Sequence, residues 1–535
     1  VGKTVARILI VTGRLAEPIV REAVIRSSTK HVVDIVIAPV DVAAFLTPNY
    51  IASYLKSKGV TKDMYDLVMV PGGVKGSCKV IEEVLGVKAV KGTLNAYDVS
   101  ELLKLEDMSI LSEEKPADDI LQGITLDINR GVLLDLEEKA KISSIVVGRL
   151  PIPITPPPIR VATEIAFAHK LSDDVILKKV SKLIDSGVDI VSVGFEALES
   201  HPDAVYKCVK LIKKEFGIPV AIDTSIPNEI IKGVEAGCDM VINVDLTNVE
   251  QIHRYIKDLA AVVIPRNPST GSIPINPDER VELLGKTVEK LISLGMEKIL
   301  ADTVLDLPGR IFSSLLAYSK FKNLYPGIPM FMGVGNVAEF MDVDSVGVNA
   351  LLIEIAQEIG VSVVLVSEYS TKTQGSTLEA KIAAQMMAIA SARKSIPKDL
   401  GLSLLILKDK RRNEYIPSED VSETIVASEE EKEWGLDPMG IFKISVNHDE
   451  GYIWALYIGR KGKILIKGRT AKAIRNEILK RELISSLSHA MYLGIELAKA
   501  EEALRIGKNY TQELPLFRMP RPINISKGKN SNQRT

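Results

Sequence analysis

VAIDTSIPNEIIKGVEAGCDMVINV, residues 220–244, reads as a complete strand–helix–strand unit. Val220–Ile222 is a short apolar run, the helical stretch after it closes on Glu-Ala-Gly, and Met240–Val244 is a second apolar run. Two short buried runs separated by one helical segment predict parallel strands joined by a crossover. The unit repeats outward in both directions. Further strands are expected at Val161–Ala166, Ile190–Val193, Ala261–Ile264, Lys298–Ala301, Met330–Met332 and Val363–Val366. Between them lie amphipathic patterns such as DDVILKKVSKLIDSG (173–187) and RVELLGKTVEKLISLG (280–295), each closed by a glycine. Eight strand–helix repeats over residues 160–396 predict a (β/α)₈ TIM barrel, with an open doubly wound sheet as the alternative.

Ahead of the barrel, GRLPIPITPPPIR carries five prolines between Pro151 and Pro158. Proline fixes φ and lacks a donor, so residues 149–159 are expected to form a stiff linker. Residues 1–148 then form an N-terminal doubly wound α/β domain, with strands at Ala6–Val11, Asp34–Ala38 and Leu67–Val70. Beyond the barrel, residues 397–519 read as an α+β domain. Its expected strands are Leu404–Leu407, Ile441–Val446, Tyr452–Tyr457 and Lys463–Lys467, followed by helices Thr470–Glu482 and Ser485–Ile506. Residues 520–535 are polar, basic and aperiodic, which predicts a disordered tail.

A formal net charge of −2 over 535 residues argues against a nucleic-acid binder, which needs a basic face. Cys78, Cys208 and Cys238 are far apart and form no CxxC pair, so neither a disulfide framework nor a structural zinc is expected. Val346–Val366 is the most apolar stretch, but Glu354 and Glu358 interrupt it, so no membrane span is expected. RILIVTG near the start reads as a strand and not as a cleaved leader, and the cytoplasm is the expected location.

Barrel chemistry comes from the C-terminal ends of the strands. Asp223, Asn243, Asp302 and Asn336 fall at those positions, with Asp245 near the same face. Singly, each has a plain structural explanation: an aspartate after a strand often caps the next helix, and a buried amide needs a hydrogen-bond partner. Together, two carboxylates and two amides around an apolar cup suit a flat heterocycle with adjacent N–H donors and carbonyl acceptors, such as a pterin.

The same segment, 220–244, is similar to one shared by dihydropteroate synthases and methyltetrahydrofolate:corrinoid methyltransferases: an Ile-Asp-Thr strand, a helix ending Glu-Ala-Gly, then a strand with Ile-Asn. The three-part layout resembles an archaeal family of dihydropteroate synthase-related proteins. That resemblance places Asp223, Asn243 and Asp302 on pterin-binding positions and implies a reduced pterin, of folate or methanopterin type, as substrate or ligand in one-carbon metabolism. Residues expected of a synthase are absent. ATEIAFAHK stands where its first-strand loop would be, Val337 stands where a lysine would be, and VVLVSEYS lacks the eighth-strand arginine and histidine. Gly333–Asn336–Val337, GSIPINPDER (271–280) and ADTVLDLP resemble the methyltransferases instead. In them the asparagine corresponding to Asn336 lies near the methyl-bearing ring nitrogen, which makes Asn336 the candidate catalytic residue. A methyl-pterin transferase is the leading expectation; a synthase-like condensing enzyme and a non-catalytic pterin carrier or sensor are the alternatives.

Two further features have open readings. Pro71-Gly72-Gly73-Val74-Lys75-Gly76-Ser77 follows a strand, so Gly72, Gly73, Gly76 and Ser77 either cradle an anion or form a glycine turn. His489 either packs in its helix or ligates a corrinoid cobalt, and the remaining histidines show no metal-ligand spacing, so no metal site is expected. The partners this admits are the pterin, a corrinoid protein and a second copy of the chain.

Overall fold

A computed structural model describes residues 5–105, 107–197, 199–409, 423–428, 435–517, 520 and 522. The expected tail beyond 520 lies almost wholly outside these residues. Two compact units, Val1–Arg411 and Arg412–Thr535, are described separately. Among the described residues no helix is long and apolar enough to cross a membrane.

The first unit begins with a parallel sheet of β1 (Arg7–Thr12), β2 (Val32–Ile37), β3 (Leu67–Val70) and β4 (Lys88–Lys91), in the order β2-β1-β3-β4. Strand β3 is buried on both faces, which is why it reads as an uninterrupted apolar run and not an alternation. A 23-residue helix, Asp118–Ala140, leads away from this sheet. Asn129 on it donates to the Leu400 carbonyl at 2.5 Å and accepts from Arg393, whose buried guanidinium also pairs with Asp98 at 3.1 Å. The sheet domain is thereby tied to the barrel's last helix, Ser376–Arg393.

The proline-rich stretch is not a free linker. Strands β5 (Ser144–Val147) and β6 (Leu150–Pro153) form an antiparallel hairpin. The prolines are tolerated because Pro151 and Pro153 alternate with Ile152, so their missing N–H groups fall on the side away from the partner strand. Val147 and Ile152 pack against Ala162, Ile190, Ala221, Met240 and Ala260 at the N-terminal ends of the barrel strands, which closes the barrel floor.

The barrel itself comprises β7 (Arg160–Ile165), β8 (Ile190–Gly194), β9 (Val220–Asp223), β10 (Met240–Val244), β11 (Ala260–Val263), β12 (Ile299–Ala301), β13 (Met330–Gly333) and β14 (Val361–Ser367). All eight pair in parallel, and β14 pairs with β7 to close the ring. The helices cover the outside by burying one stripe each. Ile176, Val180 and Leu183 do so on Asp173–Asp185, each burial contributing about 1.5–3 kcal/mol. Gly233 lets its helix lie on β9, since a Cβ there would stand 2.5 Å from the Ile222 side chain. Asp189 and Asp239, just before β8 and β10, accept an N–H at the start of the preceding strand (Val161 and Val220, both 2.8 Å) and fix the register at the floor.

The second unit is an antiparallel sheet, β15 (Gly440–Asn447), β16 (Tyr452–Gly459) and β17 (Gly462–Gly468), with two helices, Ala471–Lys480 and Leu487–Ile506. Alternate residues Phe442, Ile444, Ile453, Ala455 and Tyr457 face Ile474, Ile478, Leu493 and Leu497. The strand expected at Leu404–Leu407 does not form. Leu405, Ile406 and Leu407 are more than half exposed, so their apolar run had no sheet face to bury.

Candidate functional site: the barrel mouth

The two-residue period of the strands decides which side chains meet inside the barrel. Ala162, Ile190, Ala221, Ile242, Val262, Leu300, Phe331 and Val363 belong to one interior cluster. Counting two residues on from Ala162, Ala221 and Leu300 brings Glu164, Asp223 and Asp302 inward at the top; the same step from Val262 and Phe331 places Ile264 and Gly333 there, and two such steps from Ile190 and Val363 place Gly194 and Ser367. The strand ends thus present three carboxyl groups and no lysine or arginine.

Glu164 is the member that sequence reasoning missed. Its side chain reaches across the end of β8, where a Cβ on Gly194 would stand only 1.9 Å from Glu164 Oε1. Gly194 is therefore needed for close approach. Burial, then the charges of Asp223 and Glu339, raises the Glu164 carboxyl to about 8. Burial also raises Asp223, to about 6. Like charges facing one another in a dry wall raise each other's affinity for a proton.

Asn243 donates from Nδ2 to Asp223 Oδ1 at 2.6 Å, so two of the expected site residues are brought into direct contact. Asn243 stands at φ +69 inside β10, where the pairing with β11 slips between Val241 and Val244. Asparagine tolerates this left-handed conformation better than most side chains, and the resulting bulge turns its amide toward Asp223. Asn248 braces the bulge by donating to the Asn243 carbonyl at 3.0 Å.

Asp302 faces the same space from β12. Its Oδ1 accepts from the Tyr318 hydroxyl and from Val304 N at 2.7 Å. Burial raises its carboxyl to about 7, opposed by those two hydrogen bonds and by Arg280, and reinforced by Asp223. Val304 has φ +67, unusual for a β-branched residue and a local cost of about 1–3 kcal/mol. Arg280 holds this loop in place: its buried guanidinium donates to the Val304 carbonyl at 2.8 Å and pairs with Asp306 at 2.9 Å. That arginine, in the GSIPINPDER stretch, supports the mouth from outside.

Asn336 lies in the short helix Gly335–Ala338 after β13, half-buried. Its Nδ2 donates to the Leu305 carbonyl at 2.8 Å, which joins the loops after β12 and β13. Asp245 does not point a free carboxylate into the mouth: it pairs with Arg266 at 2.8 Å and caps Thr247. Between the loops after β7 and β14 a cleft opens, lined by Glu164, Phe167, Lys170, Glu368 and Tyr369, with the Phe167 and Tyr369 rings 5.4 Å apart.

The other expected sites fare differently. Gly72 packs against the backbone of Gly92 and Thr93, where a Cβ would be 2.5 Å from an oxygen, and its N–H bonds to the Thr93 carbonyl. Gly76 has φ +94, Gly73 lies over Ala44, and Ser77 Oγ accepts from Lys79 N at 3.3 Å. Turn and packing demands account for this glycine run. In the second unit His489 Nδ1 faces Asp437 Oδ2 at 3.0 Å. Asp437 also accepts from Ser485 and from the N–H groups of Met439, Ser485 and Ser486, and these hydrogen bonds hold it well below the usual carboxylate range. His169 and His201, remote in sequence, meet beside Glu196 on the loops after β7 and β8.

Comparison with known proteins gives these arrangements a context. A family model described as "Pterin binding enzyme" matches residues 165–367, and one described as PterinBD-DUF4346 matches 436–513. An uncharacterized protein of Methanocaldococcus jannaschii is 35% identical over 529 residues, spanning 96% of this chain and 100% of its own. A dihydropteroate synthase of Clostridium beijerinckii is 35% identical over 77 residues, 13% of this chain and 29% of that one. Among solved structures, the Coxiella burnetii dihydropteroate synthase in complex with pteroic acid is 16% identical, covers 45% of this chain and 95% of its own, and has a TM-score of 0.37. The Yersinia pestis dihydropteroate synthase is 14% identical over 47% and 98%, also with a TM-score of 0.37. With its full-length match to the Methanocaldococcus protein and a pterin-binding barrel at its centre, the chain belongs to the archaeal family of dihydropteroate synthase-related proteins.

Proposed function

We propose that the barrel mouth binds a reduced pterin of the folate or methanopterin type and that the chain transfers a methyl group from it. The observation that carries this reading is the ring of Glu164, Asp223 and Asp302, with Asn243 fixed on Asp223. A pterin's amino-pyrimidinone edge offers adjacent N–H groups that one carboxylate accepts in parallel. Asp223 and Asp302 each keep an Oδ2 for such an edge, because their Oδ1 atoms take the hydrogen bonds from within the protein. A pyrophosphate leaving group fits poorly, since the strand ends carry carboxyls and no cation to neutralise it.

Methyl departure from a tertiary ring nitrogen needs that nitrogen protonated or strongly hydrogen-bonded, because a neutral amine leaves more readily. Glu164, raised to about 8, holds a proton at neutral pH and is the group suited to deliver one. Asn336 orients the ring, exchanging the Leu305 carbonyl for the ligand when it binds. That same bond to Leu305 favours the second reading, a non-catalytic carrier, in which Asn336 only ties two loops together. Titrating a reduced pterin into wild type, Asp223→Ala and Asp302→Ala tests the binding claim. Each variant should lose about 1.5–3 kcal/mol, the worth of a hydrogen bond to a charged group. Unchanged affinity in both overturns it.

A further inference from the structure

We propose that His169, His201 and Glu196 form a binding site for a divalent transition metal, zinc foremost, on the rim of the barrel mouth. His169 lies in the short turn Ala168–Lys170 after β7, Glu196 follows β8, and His201 precedes the helix Pro202–Glu215. One ligand atom from each lies within 4.8 Å of the others. Both ring nitrogens of His169 are buried without a hydrogen-bond partner, as is Nε2 of His201, and the His169 side chain is only 8% exposed. Buried imidazole nitrogens normally find a partner; here His169 Nδ1 and His201 Nε2 have none, and His169 Nε2 has only the Glu196 carboxylate beside it, outside good hydrogen-bond geometry, which points to a missing ligand.

The surroundings favour a cation. Glu196 Oε2 stands 3.4 Å from His169 Nε2 and supplies the charge. The His201 backbone is anchored, its N–H donating to the buried Glu229 at 2.6 Å, and Glu229 in turn accepts from Thr224 at 2.5 Å. The two imidazoles stack with centroids 4.1 Å apart and planes within 12°. Splaying the rings at their common edge brings one nitrogen of each to a shared ion at about 2.0–2.1 Å. Lys170, 3.1 Å from Glu196 on the exposed side, is the competing charge that a bound metal displaces. Two imidazoles and one carboxylate are the donor set of open zinc sites, which leave a position for water or substrate. Stretches of 31 residues separate the two histidines in sequence, so only the adjacency of β7 and β8 unites them.

The test uses the full chain, stripped with a chelator and free of pterin, so its outcome is independent of the pterin reading. Zn²⁺ is titrated against a chromophoric chelator, and Co²⁺ is followed by its visible d–d bands. Wild type should bind a single tight equivalent and develop the bands. His169→Ala and His201→Ala should weaken binding by more than the about 10–100-fold that loss of an outer-shell partner costs. Glu196→Gln alters a partly exposed side chain and carries the test if a histidine variant fails to fold. His448→Ala, in the second unit, should bind as wild type does. Wild type binding no more tightly than the His169→Ala/His201→Ala double variant or Glu196→Gln, or showing no Co²⁺ bands, overturns the proposal.

Discussion

Asp302→Asn exchanges an ionisable group for a neutral one of the same shape while keeping an oxygen for Tyr318 and Val304 N to donate to. Burial raises the Asp302 carboxyl from 3.8 to about 7, so between those values the folded chain holds a proton that the unfolded chain has released. The sign follows: stability from this group is fully present below about pH 4, falls as pH rises, and levels off once the folded group ionises. Each unit of separation is worth about 1.36 kcal/mol, and about two units of it lie between pH 5 and pH 8, so wild type should lose about 2–3 kcal/mol relative to the variant. Urea unfolding of both proteins at pH 5, 6, 7 and 8 measures the difference directly and cancels groups common to both. Curves that stay parallel, or a wild type that gains on the variant as pH rises, would refute the claim that Asp302 is held protonated by its dry surroundings.

Gly194→Ala should displace the Glu164 carboxyl, whose flexible end yields more readily than backbone, while the barrel stays folded. Its effect on pterin turnover should match that of Glu164→Gln and should not add to it, which a double-mutant cycle reads. Asn336→Ala should bind methyl-pterin within a few-fold of wild type yet lose about 10²–10³ in the rate of transfer to a supplied cob(I)alamin acceptor. A change in affinity alone, with no transfer by wild type, would favour the carrier reading. No pyrophosphate should be released from the usual dihydropteroate synthase substrates, since a rate comparable with true synthases would require cations that the strand ends lack.

Much of the barrel was legible because its strands are buried on both faces and its helices on one, which leaves continuous apolar runs in the strands and striped patterns in the helices. Asp223, Asn243 and Asp302 could be picked out because strand-end polar residues stand out against apolar runs. Glu164 could not, although it too lies at the end of a strand: ATEIAFAHK contains nothing to say that the side chain lies over the end of β8. That placement depends on Gly194, an unremarkable glycine until β8 is laid between its neighbours. The proline-rich hairpin was misread for a related reason. Proline's missing donor counts against a strand only where the partner needs it, and which N–H groups face a partner is a property of pairing. His169 and His201 belong to the same class, two loops apart in the chain and one strand spacing apart in space.

The packed interior cluster, with the β5–β6 hairpin beneath it, makes the barrel a cup with no passage through its floor. Whatever reaches Asp223 and Asp302 enters by the upper opening and leaves the same way. On the proposed methyl-transfer reading, donor and acceptor would take turns at one doorway or stack within it. A second molecule cannot relieve the first from behind. The loops bearing Phe167, Val304 and Asn336 surround that passage. On that reading, an acceptor waiting above would delay the departure of spent pterin.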